Sequence, residues 1–364
     1  MLSPHSHQQV MVGRAVMKAK QAGRAALRLP PMTSTSDLVK LYNLQAVKKL
    51  SQNFLLDNKL SSKIVSSSCR VKRSHVCEVG PGPGNITRSI LEQGAQHLTV
   101  IEKDPRFLPA LDILREASQG RLDVNIGDVL TYNMEKLFPP ELARPWEDPP
   151  PNIYLIGNLP FNIATPLIIR WLRDISLHQN AWVYGRVRMT LTFQLEVVQR
   201  MVAPPNHPQR CRLSVMCQNW CYVAHKFTIP GRAFVPKPDV DVGVAHFIPH
   251  QEPHIPLPFN LVEKVVRCIF SFRQKYCKRG VATLFPRAIQ DDMVAKMFTV
   301  ADVDPDIRSF QLTMPEISRL CHAYSAIVTQ NPTIASYNSR EQHIKAELNC
   351  DMDADGNEDE YRLR

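Results

Sequence analysis

Two short motifs carry the chemistry of this chain: Glu78-Val-Gly-Pro-Gly-Pro-Gly84 and, 74 residues on, Asn158-Leu-Pro-Phe161. Gly80, Gly82 and Gly84 permit a tight strand-to-helix turn that a ligand can approach at the backbone. Their G-x-G-x-G spacing, with two interleaved prolines, departs from the dinucleotide G-x-G-x-x-G pattern. Glu78, just before the turn, has no usual role beside a pyrophosphate. Glu102 and Asp128 follow further along. A carboxylate at the first position suits two ribose hydroxyls, and one at the second suits the exocyclic amine of a cofactor adenine, with the Val129 N–H on a ring nitrogen.

Asn158-Leu-Pro-Phe161 is suited to a planar amine. Such an amine is a poor nucleophile because its lone pair is delocalised into the ring. The side-chain oxygen of Asn158 and the backbone carbonyl of Leu159 can accept its two N–H bonds and turn the lone pair outward. Pro160 stiffens the turn, and Phe161 offers a face for base stacking. A nucleoside floor followed by an amine clamp implies methyl transfer from S-adenosylmethionine to a base nitrogen, driven by positioning and electrostatics.

These groups must be held by regular elements. The segments 76–79, 98–101, 122–126 and 153–156 predict strands, the first of them short and buried, with helices over 85–93 and 106–117 between them. Strands alternating with helices imply an α/β, doubly wound parallel sheet whose site lies at the strand C-terminal ends. Glu102, Asp128 and Asn158 all fall at such ends. A fifth strand is expected over 189–194, a helix over 195–201, and two more strands over 213–221 and 241–247. Pro139 to Pro151 reads as a loop. In Phe234-Val-Pro-Lys-Pro-Asp239 the prolines predict a stiff extended segment, on which Phe234 is a second candidate stacking surface or a buried ring. Gln52 and Asn53, after an amphipathic helix expected over 37–49, are candidates to close over the cofactor.

Four regions are expected along the chain: a basic arm (1–36), a Rossmann-like domain (37–250), a small helical domain (251–335) and an acidic tail (336–364). The 364 residues carry a net charge of +10, divided as +5 on 1–36, +9 on 37–330 and −4 on 331–364. A basic body suits a polyanionic partner. Arg267, Arg273, Lys275, Lys278, Arg279 and Arg287, interleaved with Phe270, Phe272 and Tyr276, are candidate RNA contacts; a solvated helix face is the alternative. The acid-free N-terminus has the composition of a mitochondrial presequence, which implies the matrix. The nine cysteines include no C-x-x-C pair and complete no zinc site, so reduced thiols and no metal are expected. No apolar run has the length of a membrane span. A monomer is the default for this architecture.

These residues resemble the ribosomal RNA adenine N6,N6-dimethyltransferase family over about residues 38–330. The likeness rests on Ser51-Gln-Asn-Phe-Leu55, Glu78 to Gly84, Gly127-Asp128-Val129, Asn158 to Phe161, Arg212-Leu-Ser-Val215 and Phe234-x-Pro-x-Pro238. With the basic arm and the loop Arg144-Pro-Trp-Glu-Asp148, it points to the mitochondrial branch. The resemblance implies a class I S-adenosylmethionine-dependent methyltransferase sheet with a helical C-terminal domain that holds RNA. It also implies dimethylation of two adjacent adenines in the 3′-terminal hairpin of mitochondrial small-subunit (12S) rRNA, on the RNA or an assembling subunit. By motif position it assigns cofactor contacts to Leu55, Gly80, Glu102, Lys103, Asp128, Val129 and Asn158. Bacterial relatives often carry Tyr where this chain has Phe161, a change that keeps stacking. The competing class is a non-enzymatic accessory factor for mitochondrial RNA polymerase that binds DNA; a large-subunit resistance-type methylase is a third. The intact floor and clamp favour the enzyme, and the presequence-like arm disfavours the third.

Overall fold

The computed structural model describes residues 27, 29–30, 53–68, 71–272 and 274–338. The basic arm, the helix expected over 37–49, Gln52, Arg273 and the acidic tail from 339 lie outside the described residues. In chain order the elements are β1 (Phe54–Leu55), α1 (Asn58–Ser68), β2 (His75–Val79), α2 (Asn85–Glu92), β3 (His97–Glu102), α3 (Leu108–Ala117), β4 (Leu122–Ile126) and β5 (Ile153–Asn158). There follow α4 (Phe161–Leu177), β6 (Arg188–Gln194), α5 (Leu195–Val202), α6 (Arg212–Trp220), β7 (Cys221–Ile229), β8 (Phe234–Val235) and β9 (Val242–Pro249). The helices α7 (Phe259–Ile269), α8 (Cys277–Ala282), α9 (Gln290–Ala301), α10 (Met314–Gln330) and α11 (Pro332–Ala335) close the series.

The chain forms two compact units that alternate along the sequence. The first holds the chain up to Tyr132, then Asn152–Pro160 and Gly231–Asp239. Its strands run parallel in the order β4-β3-β2-β5. β2 is buried throughout, β3 is buried from Leu98 and β5 as far as Gly157, as expected of strands covered on both faces. Their register aligns Val79 with Ile101 and with Gly157, and Glu102 with Ile126, so the strand ends finish level. A two-stranded antiparallel bridge, β1 with β8, pairs Phe54 with Val235 and Leu55 with Phe234.

The second unit holds 133–151, 161–230 and the chain from Val240 on. Its strands are antiparallel in the order β6-β9-β7. The strand expected over 213–221 is corrected here: Arg212–Trp220 is the helix α6, and only Cys221 begins a strand. Capping decides it. The Cys211 N–H donates to Ser214 Oγ at 3.0 Å, Ser214 Oγ donates to the Arg200 carbonyl, and Gln218 Nε2 donates to the Met201 carbonyl at 2.9 Å. Those bonds tie α6 to the end of α5 in a way that an apolar run alone does not reveal. α4 likewise has no counterpart among the predicted elements. Pro166 removes one of its backbone bonds, but burial of Leu167, Ile168, Trp171, Leu172 and Ile175 outweighs that loss.

Helices α7 to α10 fall within the stretch 251–335 expected to be helical, with Val262, Val265, Val266, Ile317, Leu320 and Ile327 buried. The Pro-rich stretch 251–258 lies inside the second unit. Cys77, Cys211, Cys217, Cys221, Cys268, Cys277 and Cys321 are free thiols. Among the described residues no helix is long and apolar enough to cross a membrane.

Close packing in the second unit gives a direct check. A Cβ at Gly243 of β9 would lie 2.8 Å from Val198 Cγ2 of α5. Gly243→Ala is expected to lower the unfolding free energy by about 1–3 kcal/mol. Val198→Ala in the same chain should recover part of that loss, and thermal unfolding of the single and double variants measures both.

Candidate active site

The site is built in the first unit, from the residues that leave the level strand ends. β2 ends at Val79 and the chain turns at once through three glycines with positive φ, +67° at Gly80, +53° at Gly82 and +89° at Gly84. Gly82 has two reasons to be glycine. Its φ disfavours any side chain, and a Cβ there would lie 2.9 Å from the Phe54 ring. Phe54 in turn meets the Phe107 ring edge-on at 5.2 Å. The turn is thus packed on its outer side by an aromatic pair.

Glu102 is the last residue of β3 and only 4 % exposed. Its Oε2 accepts the Gly82 N–H at 2.9 Å and its Oε1 accepts the Asp104 N–H at 2.8 Å. Burial raises its pKa, and those backbone N–H bonds oppose the rise. Glu78 is more deeply buried, and its Oε2 accepts the Thr87 hydroxyl at 2.6 Å. Burial pushes Glu78 up to about 8 against the Thr87 bond, with the nearby Glu102 adding to the rise. Among the described residues neither carboxyl has a basic partner within salt-bridge distance.

Asp128 lies two residues beyond β4. Its Oδ1 accepts the Leu130 N–H at 3.0 Å, and its Oδ2 is 2.8 Å from Lys103 Nζ. The Lys103 ammonium and the Leu130 N–H hold the Asp128 carboxyl below the usual range. Val129 is buried. Asn158 ends β5, and its Nδ2 donates to the Asn53 carbonyl at 2.9 Å. Asn85, opening α2, donates through Nδ2 to the Leu55 carbonyl at 3.0 Å. Two amide side chains thus hold the segment Asn53–Leu55 against the strand ends. Leu159 is buried, with Cδ2 3.9 Å from where a Gly80 Cβ would be.

The fold therefore brings Asn53, Leu55, Gly80, Gly82, Glu102, Lys103, Asp128, Val129, Asn158 and Leu159 into one unit. Phe161 opens α4 in the second unit and is half-buried. Phe234 is 2 % exposed and packs in the β1–β8 bridge, the buried alternative of the two open for it. Phe54 enters the sequence reading only as part of the Ser51–Leu55 motif, and Asn85 and Thr87 only follow the glycine turn, so no local pattern marks their contacts. Arg267 is half-buried on α7, while Lys275, Lys278, Arg279 and Arg287 are exposed in the second unit.

A nucleoside bearing a sulfonium fits this floor. The Glu102 and Asp128 carboxyls beside the glycine turn can accept hydroxyl and amine donors, whereas a pyrophosphate would meet like charge. Fold and floor together define a class I S-adenosylmethionine-dependent methyltransferase. Two solved structures share the fold: a dimethyladenosine transferase from Plasmodium falciparum (TM-score 0.56, 19 % identity, 75 % of this chain and 98 % of that one) and the 23S rRNA methyltransferase ErmE (TM-score 0.51, 22 % identity, 75 % and 100 %).

The chain belongs to the ribosomal RNA adenine dimethylase family, whose model matches residues 43–307. S-adenosylmethionine is its methyl donor. It is similar to the mitochondrial dimethyladenosine transferase 1 of Xenopus tropicalis, 50 % identical over 94 % of this chain and 99 % of that protein. Those of Homo sapiens (49 %, over 92 % and 97 %) and Drosophila melanogaster (48 %, over 87 % and 95 %) are close to the same level.

The raised Glu78 pKa has a signed consequence. Between the ordinary 4.5 and about 8 the folded state holds a proton that the unfolded chain has released. Stability from this group therefore falls as pH rises through that window and is level above it. Glu78→Gln keeps an acceptor for Thr87 and removes the slope. Melting curves from pH 5 to 8 should show the wild type losing several degrees relative to Glu78→Gln, on the order expected for a few kcal/mol; parallel curves would refute the assignment.

Proposed function

We propose that this enzyme transfers methyl groups to N6 of two adjacent adenines in the 3′-terminal hairpin of mitochondrial small-subunit (12S) rRNA. The observation that carries the reading is the Asn158 amide at the end of β5, whose Nδ2 is committed to the Asn53 carbonyl. That bond orients the amide, whose Oδ1 is an acceptor suited to the N–H of a target amine.

Bound S-adenosylmethionine supplies an electrophilic methyl group on a sulfonium. The chain's own groups do the rest. Glu102 would hold the cofactor by accepting hydrogen bonds from its ribose hydroxyls, Asp128 by accepting one from its exocyclic amine, and the Val129 N–H by donating to a ring nitrogen. Lys103 keeps Asp128 ionised for that task. Asn158 Oδ1 and the Leu159 carbonyl accept the two N–H bonds of the target amine, which draws its lone pair out of conjugation. The same clamp serves the second transfer with one N–H fewer. Phe161 stacks on the target base, and Phe234, buried in the β1–β8 bridge, backs Leu55 instead of stacking. Lys275, Lys278, Arg279, Arg267 and Arg273 meet RNA phosphates. The basic N-terminus directs the chain to the mitochondrial matrix, where the RNA or the assembling subunit is met.

The test is transfer of labelled methyl from S-adenosylmethionine to small-subunit mitochondrial rRNA, offered naked and as an assembling particle. Wild type should label paired hairpin adenines. Asn158→Ala should fall about 10²- to 10³-fold in rate while RNA affinity persists. Absence of transfer by wild type, with RNA or polymerase binding intact, would favour the accessory-factor reading instead.

A further inference from the structure

The turn between α7 and α8 in the second unit exposes two aromatic rings that the core does not use. Phe272 is 40 % exposed and Tyr276 is 51 % exposed. Their backbone is nonetheless fixed. Tyr276 forms a β-bridge with Arg308, the Cys277 N–H donates to the Ile307 carbonyl at 2.8 Å, and the Lys275 N–H donates to the Phe272 carbonyl at 2.8 Å. Cys277 and Val281 are fully buried directly after the turn. Gly280 packs so closely that a Cβ there would lie 2.7 Å from the Ile269 carbonyl. Two neighbouring, partly exposed rings on hydrogen-bonded backbone offer apolar surface for docking.

Cations lie over both rings. The Arg279 guanidinium is 5.3 Å from the Phe272 centroid, and Lys278 Nζ is 5.6 Å from that of Tyr276. Lys278 also pairs with Asp306 at 2.5 Å, whereas among the described residues no carboxylate pairs with Arg279 or Lys275. A solvated helix face would carry these charges without adjacent open rings. Contact with duplex phosphates would also need no rings, because the backbone of a helix offers charge and hydroxyls but no open base face. Partly exposed rings beside Arg279 and Lys275, which no carboxylate neutralises among the described residues, match the two surfaces of an unpaired nucleotide, its base and its phosphate.

We infer that Phe272 and Tyr276, with Arg279 and Lys275, form a stacking platform for unpaired RNA nucleotides flanking the substrate hairpin. The inference rests on the proposed RNA substrate and adds to it a division of labour: methylation chemistry at the strand ends of the first unit, and recognition of single-stranded RNA by the α7–α8 turn.

The test uses the full chain and two labelled RNAs, the same hairpin with and without a single-stranded flank, with affinity read by fluorescence anisotropy over a salt series. Phe272→Ala and Tyr276→Ala should each weaken the flanked hairpin roughly 5- to 50-fold and leave the flankless one within about twofold. Tyr276→Phe should bind as wild type. Lys275→Ala should weaken both RNAs and flatten the salt dependence by about one unit of slope. Wild-type affinity for the flanked hairpin in Phe272→Ala and Tyr276→Ala, or equal losses on both RNAs, would overturn the platform. Methyl transfer by wild type in the same preparation separates the two ideas: transfer with indifferent rings refutes only the platform, and no RNA binding or transfer by wild type refutes the substrate as well.

Discussion

The hydrogen bond from the Gly82 N–H to the buried Glu102 carboxylate is the constraint on which the site depends. It joins the glycine turn that follows one strand to the end of the next strand, and it holds an acceptor group at that corner. A carboxyl taken out of water is costly unless backbone donors face it, and here the Gly82 and Asp104 N–H groups both do so. The positive φ at Gly82 is what aims its N–H at the acid. The missing side chain then leaves room for Phe54, which packs on the turn and on Phe107. Changing the glycine, the acid or the aromatic would therefore disturb the other two.

The second link is the strap Asn53–Leu55. Asn85 from the helix after the glycine turn and Asn158 from the end of β5 each give an amide N–H to one of its carbonyls. A neutral bond of this kind contributes about 1 kcal/mol to stability, so neither is a major term in the fold. Their effect is directional. The floor and the amine clamp share one backbone segment, which β8 pairs from its other edge. One N–H of the Asn158 amide is tied to the Asn53 carbonyl, which fixes the side chain whose oxygen the clamp chemistry needs as acceptor.

Much of this was legible in the sequence because the site residues sit where periodicity changes. Glu102 and Asn158 are polar residues that stop apolar strands, and Asp128 follows a third, so reading the strands also found the acids and the amide. β2, β3 and β5 are apolar enough to imply a sheet covered on both faces, whereas β4 is only partly buried. Less legible were features set by tertiary contacts. Residues 212–220 are as compatible with a strand as with a helix until Ser214 and Gln218 find the carbonyls of Arg200 and Met201. Pro166 masks α4, and nothing local marks Phe234 as buried before its bridge to Leu55 is known. The carbonyl partners of Asn85 and Asn158 lie 30 and 105 residues from them, beyond any local pattern. The open rings of Phe272 and Tyr276 were legible as composition, though their exposure and the cations above them were not.

The most direct measurement is calorimetric titration of S-adenosylmethionine into wild type and Glu102→Gln, with the melting temperature of each. Glutamine keeps the shape and one acceptor but loses the charge and the second acceptor oxygen. The account predicts that affinity falls at least about 30-fold, the loss of charge-assisted bonds of about 2 kcal/mol. The melting temperature should change by a few degrees at most, because removing a buried carboxyl with a raised pKa offsets the loss of one acceptor for the Gly82 or Asp104 N–H. Unchanged affinity with an intact fold would contradict the claim that Glu102 organises the cofactor floor.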